Sequence, residues 1–402
     1  MRRLFVPGRI ELFGKHVDYG GGVSMTCAID EGITAEVEPV DVPVIDLEDQ
    51  KTGRRARVPL RRDARPGGAH GGTYIAAVAR RLARDFGPLH RGVRVVSQSS
   101  LPRSAGLSSS SAFVTMLTLA VAEANGLTER AEWVEHLSDR LALAEYCGAV
   151  ETGGAFGPWA GERGVGTRGG AQDHVAILCN RAGRVGAFGY LPATLIGEAT
   201  FPPSWALLVA VSGVRATKTG AAQADYNRAA DLIHGLLKAW NGATGRSDRS
   251  LAAALASSPT AAEALERLAN RSGDAPLLLA RLAQFRRESE HVVPGALAAL
   301  SAADGLALGR WAVESMQGAE SALRNQVPET SFLARAAMAS GAHASSGFGA
   351  GFGGAVWAIC DARKADDVRA RWREAYTRAF PARAAKSDWL QLSPADGVRW
   401  LS

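Results

Sequence analysis

Apolar residues follow two different textures along the chain. Up to about residue 190, short β-like runs alternate with glycine turns; from about 220 to 340 the chain is rich in Ala and Leu and reads as helices. The spacing predicts strands over 3–5, 24–29, 33–37 and 93–97, and a helix over 73–86 stopped by Gly87-Pro88. A second helical stretch runs from 129 to about 150, with Leu137, Leu141, Ala144 and Tyr146 among its apolar positions. Residues 175–178 and 207–211 read as strands again. Helices over roughly 221–240, 251–256, 261–270, 275–287 and 308–323 follow, with Pro294 and Pro328 as breaks. The Gly-rich stretch 152–170 predicts a long loop, either a lid or an insertion. A chain of 402 residues is long for one core, and Pro202-Pro203-Ser204 sets the expected division into units 1–201 and 202–402.

One stretch does not fit a purely structural pattern. Leu101 to Ala112 combines a Pro, a Gly and four consecutive serines, then runs into Phe113, Met116, Leu117, Ala120 and Val121 at helical spacing. A helix start carries unpaired N–H groups and the positive end of the dipole, and small residues let an anion come close. The stretch is built like a phosphate cradle, although a helix cap with extra serines has the same composition.

Composition narrows the class. Hydrophobic content of 47% and charged content of 21% are ordinary for a globular protein. The net charge of +6 is dispersed and Arg-dominated, so it suits small anionic ligands and argues against a nucleic-acid stripe. Cys27, Cys147, Cys179 and Cys360 are too scattered for a zinc site or a disulfide framework, which predicts a reducing cytoplasm. Pro7-Gly8-Arg9 follows the first basic residues at once and leaves no apolar targeting segment, and no run is long enough for a membrane span.

Two more stretches carry chemistry. Between Pro7 and Gly22, Arg9, Lys15, His16 and Asp18 crowd among turn glycines, a poor composition for a core strand; a solvated hairpin is the bland alternative. Gly-Lys here is not a P-loop, because His16 follows and the upstream glycine spacing fails. Gly349, Gly351 and Gly354 match a dinucleotide fingerprint formally, but a strand-like run, 355–359, follows in place of a helix. A backbone hairpin packed closely beside another loop fits better. Between these stretches, Asp173 follows Gly169-Gly170-Ala171-Gln172 and precedes an apolar run, where it either caps an element or is aimed into a cleft.

In order and spacing these stretches resemble the three motifs of the GHMP small-molecule kinases, most closely the galactokinase branch. Residues 9–22 resemble Gly-Arg-x-Asn-Leu-Ile-Gly-Glu-His-Thr-Asp-Tyr-x-Gly-Gly, 102–112 the Pro-x-Gly-x-Gly-Leu-Ser-Ser-Ser-Ala loop, and 349–354 Gly-Ala-Gly-Phe-Gly-Gly. The resemblance implies a two-lobed α+β GHMP kinase fold, with a ribosomal-protein-S5-like N-terminal lobe and a ferredoxin-like C-terminal lobe with helices. It further implies ATP and Mg2+ as cofactors, a small sugar as substrate, no nucleic acid or membrane partner, and a monomer or small homo-oligomer. By position, Asp173 would be the catalytic carboxylate facing the sugar hydroxyl and Arg9 its steadying cation. Phosphoryl transfer asks mainly for alignment and charge neutralisation, which suits this pair. Gly106, Leu107, Ser108, Ser109 and Ser110 would hold the phosphates. Ser110 and Glu151 would be the metal ligands, with Glu145 as the alternative to Glu151. Lys15, His16, Asp18, Gly170 and Tyr226 match sugar-contacting positions.

Departures loosen the substrate. Lys15 replaces the branch's Glu, a reversal that would favour a carboxylate or phosphate on the ligand. His174 replaces Gln, Glu11 replaces Asn, Ser104 replaces a loop Gly, and Phe348 replaces a small polar residue. The expected function is therefore phosphorylation of the anomeric hydroxyl of galactose or a near relative. A kinase for a uronic acid or phosphorylated sugar is the alternative, and a non-catalytic sugar and ATP sensor is a third reading.

Overall fold

The first strand already departs from its composition. β1 (Arg2–Phe13) pairs antiparallel with β2 (Val23–Val40), and Arg9 and Glu11, expected outside any core strand, lie inside it and are buried. Register shifts between Pro7 and Arg9 and between Glu11 and Phe13 break the simple alternation. Such bulges re-aim side chains. Ile10, Leu12 and Phe13 thereby join one apolar core, while Arg9 and Glu11 turn to a polar cleft. Gly8 is required at the first irregularity, because a Cβ there would meet the Leu107 carbonyl at 2.9 Å.

The structure is a computed structural model and describes residues 1–67, 71–102, 105–215 and 223–401. After β2 come β3 (Val44–Asp49), β4 (Arg55–Pro59), α1 (Gly72–Asp85), β5 (Gly92–Ser99), α2 (Ser109–Ala124), α3 (Ala131–His136), α4 (Arg140–Thr152), α5 (Gln172–Cys179), β6 (Arg184–Gly189) and β7 (Thr194–Thr200). Then follow β8 (Trp205–Val211), α6 (Gln223–Thr244), α7 (Leu251–Ala256), α8 (Ala261–Asn270), α9 (Ala275–Arg287), α10 (Val293–Ser301), α11 (Gly305–Gly318) and α12 (Pro328–Ala339). The chain closes with β9 (Ala344–Gly347), β10 (Ala355–Asp361), α13 (Ala365–Ala379), α14 (Pro381–Ala384), β11 (Asp388–Leu392), β12 (Pro394–Ala395) and β13 (Arg399–Leu401).

Among the described residues the strands form two sheets. The larger runs β13-β1-β2-β5-β3-β4, with β12 and β6 also on β2 and β7 on β6; the smaller runs β11-β8-β10-β9. Pro202-Pro203 falls between them, yet the chain beyond it is not confined to the second sheet. Pro394 pairs with Ile29 and Leu401 with Arg3, so β12 and β13 return to the first.

Three expectations about elements are corrected. Residues 175–178 belong to helix α5 and not to a strand; a four-residue apolar run has no period to tell the two apart, and here it is buried on all sides. The helix expected over 129–150 is divided, because Asp139 caps a fresh start by accepting from the Ala142 N–H at 2.8 Å. Pro294 does not break the chain's path. A π-helical turn over Glu288–Val292 links α9 to α10 and leaves Pro294 in the first turn of α10, where its missing N–H is tolerated. Positions 221–222 of the next expected helix lie outside the described residues, and α6 is described over Gln223–Thr244.

The core that positions the site lies between the sheets. Ile10, Leu12 and Phe13 of β1 meet Leu207, Val209, Trp357 and Ile359 of the smaller sheet, with Val293 and Ala296 of α10 alongside. Phe13 and Trp357, both fully buried, stack edge to face with centroids 5.6 Å apart. A separate core fills the space between the larger sheet and α1, α2, α4 and α5. Replacing Trp357 by Ala should lower unfolding stability by about 3–5 kcal/mol, read as a shift of the urea midpoint. A loss below about 1 kcal/mol would show that the contact between the sheets does not hold β1 in place.

Candidate active site

The turn after β1 is shaped by glycines where side chains would collide. Gly14 has φ +84°, and a Cβ there would lie 2.4 Å from the Ser24 Cα. Its N–H donates to Glu288 Oε2 at 2.9 Å, so the π-helical turn holds this loop from the far side. His16, at φ 57°, places Nδ1 3.2 Å from the Tyr19 hydroxyl and Nε2 3.3 Å from the Ala350 carbonyl. Asp18 accepts from the Gln172 backbone N–H at 3.2 Å. A Cβ at Gly170 would come within 2.5 Å of the same Asp18 oxygen, so only glycine fits there.

At the serine run the chain enters α2 through Gly106, at φ +79°, and Ser108, at φ 59°. Ser108 stands at the cap position, but its hydroxyl does not cap the helix; it donates to Asp173 Oδ2. The first-turn N–H groups of α2 are thus not taken by a side-chain cap, which is the condition for an anion site. Ser109 is exposed, Ser110 half-buried and Leu107 buried beneath them. Ser104 lies outside the described residues.

The three motifs converge on one buried guanidinium. Arg9 Nε and Nη2 donate to Asp173 Oδ1 at 2.7 and 2.6 Å, and Nη1 donates to the Gly106 carbonyl at 2.6 Å. The other oxygen of Asp173 accepts from Ser108 and, at 3.3 Å, from Ser111. Ser111 also donates to Glu151 at 2.9 Å; His174 Nε2 lies 2.9 Å from the same Glu151 oxygen, with its Nδ1 3.1 Å from Thr115. From the third motif, Gly349 packs so closely that a Cβ would lie 3.1 Å from the Gly106 carbonyl, as expected of a hairpin beside another loop.

A cleft opens here, with Arg9, His16, Asp18, Glu151, Gly170, Asp173 and Tyr226 in its wall. Lys15 is not in that wall. It is buried, and its Nζ donates to Ser315 at 2.6 Å, which in turn donates to Glu288. Burial pulls the Lys15 ammonium below its ordinary value, with Glu288 and Glu11 opposing the shift. Glu145 faces elsewhere and accepts from the backbone N–H groups of Ala193 and Leu191. The Gly-rich segment is tied down on both sides. Arg80, Arg81 and Arg84 of α1 donate to carbonyls of Arg163, Gly154 and Ala160. Asn227 of α6 accepts from the Arg168 N–H at 2.9 Å and donates to the Gly166 carbonyl at 3.1 Å.

Sequence reasoning missed Ser111, Glu11 and Gln172 as residues of the cleft. Ser111 carried a usable signal, since it lies three residues after Ser108 and so shares its helix face. Glu11 stood out only as a replacement for Asn and Gln172 not at all: they are distant in sequence and meet only because β1 and α5 pack together, with Gln172 Nε2 donating to Glu11 Oε2. Burial pushes the Glu11 carboxyl up to about 7, against the opposing charges of Lys15 and Arg9.

Family models match three segments of the chain: the galactokinase galactose-binding signature over 3–39, the GHMP kinase N-terminal domain over 73–155 and the GHMP kinase C-terminal domain over 296–378. The chain belongs to the GHMP kinase family. Within the family, a galactokinase of Mycobacterium tuberculosis is 27% identical over 380 residues, 93% of each chain. A galactokinase of Actinobacillus pleuropneumoniae is 30% identical over 114 residues, and this chain spans only 28% of that relative's length. Among solved structures, Lactococcus lactis galactokinase complexed with galactose aligns over 100% of this chain and 95% of its own, with TM-score 0.79 and 19% identity. A D-glycero-D-manno-heptose 1-phosphate kinase from Bacteriodes thetaiotaomicron aligns over 100% and 99%, with TM-score 0.58 and 13% identity. The fold is that of a GHMP kinase, α+β with N- and C-terminal domains.

In this GHMP kinase the buried Glu11 makes stability depend on pH. The folded chain holds its proton more tightly than the unfolded chain, whose carboxyl has the ordinary value of 4.5. That advantage is complete below about pH 4.5 and is lost as pH rises through about 7. Glu11→Gln, which cannot ionise, should gain on the parent between about pH 5 and pH 8 by on the order of 2–3 kcal/mol in urea unfolding. A difference that stays constant with pH would contradict a raised carboxyl.

Proposed function

We propose that this chain is an ATP-dependent sugar kinase that phosphorylates the anomeric hydroxyl of galactose or a closely related monosaccharide. The observation that carries the reading is the Arg9 guanidinium, which binds Asp173 and the Gly106 carbonyl together and so fixes a hydroxyl-orienting carboxylate against an anion-binding helix start. Asp173 accepts the proton of the attacking hydroxyl or orients it, while the new O–P bond forms and the bond from the γ-phosphorus to the ADP oxygen breaks. Arg9 offsets negative charge as it moves between these groups. The N–H groups at 106–110 hold the phosphates, and His16, Asp18, Gly170 and Tyr226 position the sugar.

Ser110 at the open start of α2 and Glu151 in the cleft wall supply oxygen donors only, which suits Mg2+, an ion bound through one or two carboxylates, waters and substrate phosphates. Among the described residues no cluster of three or more His, Cys, Asp and Glu could hold a metal unaided, so nucleotide oxygens would complete the shell. When bound, Mg2+ neutralises phosphate charge. His174 and Ser111 fix the Glu151 carboxylate for that role. Lys15 bonds Ser315 and does not reach the cleft, which takes away the support for a uronic acid or sugar phosphate. The catalytic residues and serine run are intact, which favours an enzyme over a sensor. The proposed setting is the cytoplasm, with all four cysteines free.

Asp173→Ala should cut ADP release by about 10³-fold with ATP affinity kept; substantial residual turnover would remove Asp173 from the mechanism. Arg9→Lys keeps a charge but loses the fork that spans two acceptors, so kcat should fall about 100-fold with KM nearly unchanged. A change confined to KM would assign Arg9 to binding alone.

A further inference from the structure

Two buried oxygens on residues of the cleft wall have no partner among the described residues. Glu11 Oε1 and Gln172 Oε1 are both buried side-chain acceptors without a hydrogen bond, on residues only 3% and 4% exposed, and both residues line the cleft. The carboxylate and the amide are already joined by one bond, from Gln172 Nε2 to Glu11 Oε2, which leaves one acceptor on each. Buried polar groups without partners are costly, so each such acceptor asks for a donor.

The surrounding charges say what kind of donor. Among the described residues the wall carries four carboxylates, Glu11, Asp18, Glu151 and Asp173, and one guanidinium, that of Arg9. Arg9 spends its Nε, Nη1 and Nη2 on Asp173 and Gly106. Lys15, the other cation close to Glu11, is directed to Ser315 and coupled to Glu288. Among the described residues of the wall, no further cation lies beside Glu11.

We propose that Glu11 and Gln172 are specificity-determining residues, an acceptor pair that takes a hydroxyl or ammonium substituent of the sugar and excludes a carboxylate or phosphate there. The proposal rests on the sugar-kinase reading. Discrimination comes from both sides: a donor satisfies two buried oxygens, whereas an anion leaves them unpaired and adds like charge. Because burial brings the Glu11 carboxyl to about 7, the contrast is sharpest at about pH 8, where it is ionised.

The test is isothermal titration of galactose, galactosamine and galacturonate into the full chain at pH 8 without nucleotide, with ADP release measured in parallel. The wild type should bind the first two at least about tenfold more tightly than galacturonate. Glu11→Gln, whose amide nitrogen can donate to an anion, should shrink that preference to about threefold or less. Gln172→Leu should weaken galactose about tenfold and leave galacturonate unmoved, and it decides the matter if the first variant does not fold. Equal affinity of the wild type for galactose and galacturonate, or ratios unmoved in the variants, overturns the acceptor pair. Binding of none of the three sugars overturns the pair together with the reading beneath it; selective binding without ADP release supports the pair and overturns only the kinase.

Discussion

A guanidinium with 1% of its residue surface exposed holds the functional end of this molecule together. Arg9 could not sit inside a strand without partners, since an uncompensated charge there would cost several kcal/mol. Its partners are supplied by two other segments of chain, the carboxylate of Asp173 at the start of α5 and the carbonyl of Gly106 before α2. Folding therefore cannot bury Arg9 without also bringing those two segments to it. The need to satisfy one charge becomes the geometry of a site.

The same logic extends inward. From Asp173 the charges alternate through Arg9, Glu11, Lys15 and Glu288, with Ser315 between the last two. Such a row, buried along the first strand and the turn after it, is stable only if each member is flanked by its opposite. It also accounts for the π-helical turn between α9 and α10. Glu288 begins that turn and from there accepts both the Gly14 N–H and the Ser315 hydroxyl.

Helices α8 and α9 were legible in the sequence because each repeats its apolar positions over enough residues to show a period. The run 175–178 was too short for that, and only its packing makes it a helix. Arg9 and Glu11 looked unfit for a strand because composition says nothing of bulges, and two bulges are what turn them to a cleft. The family resemblance brought Asp173, Arg9 and the serine run into one reading. It could not say that Ser108 abandons its cap to hold Asp173, or that Lys15 turns away from the cleft toward Ser315. Glu11 and Gln172 became visible only in three dimensions, since each looks like a mere substitution until the other is beside it.

The return of β12 and β13 to the first sheet has a consequence for how the protein is made. Leu401 pairs with Arg3, so about 400 residues separate the two sides of that ladder. While the chain is being synthesised, the outer edge of β1 stays without this neighbour until residues 399–401 have emerged, and an open edge invites pairing with other chains. A chain released between β7 and β12 would carry the larger sheet without two of its strands and with the outer edge of β1 unpaired, a natural substrate for chaperones.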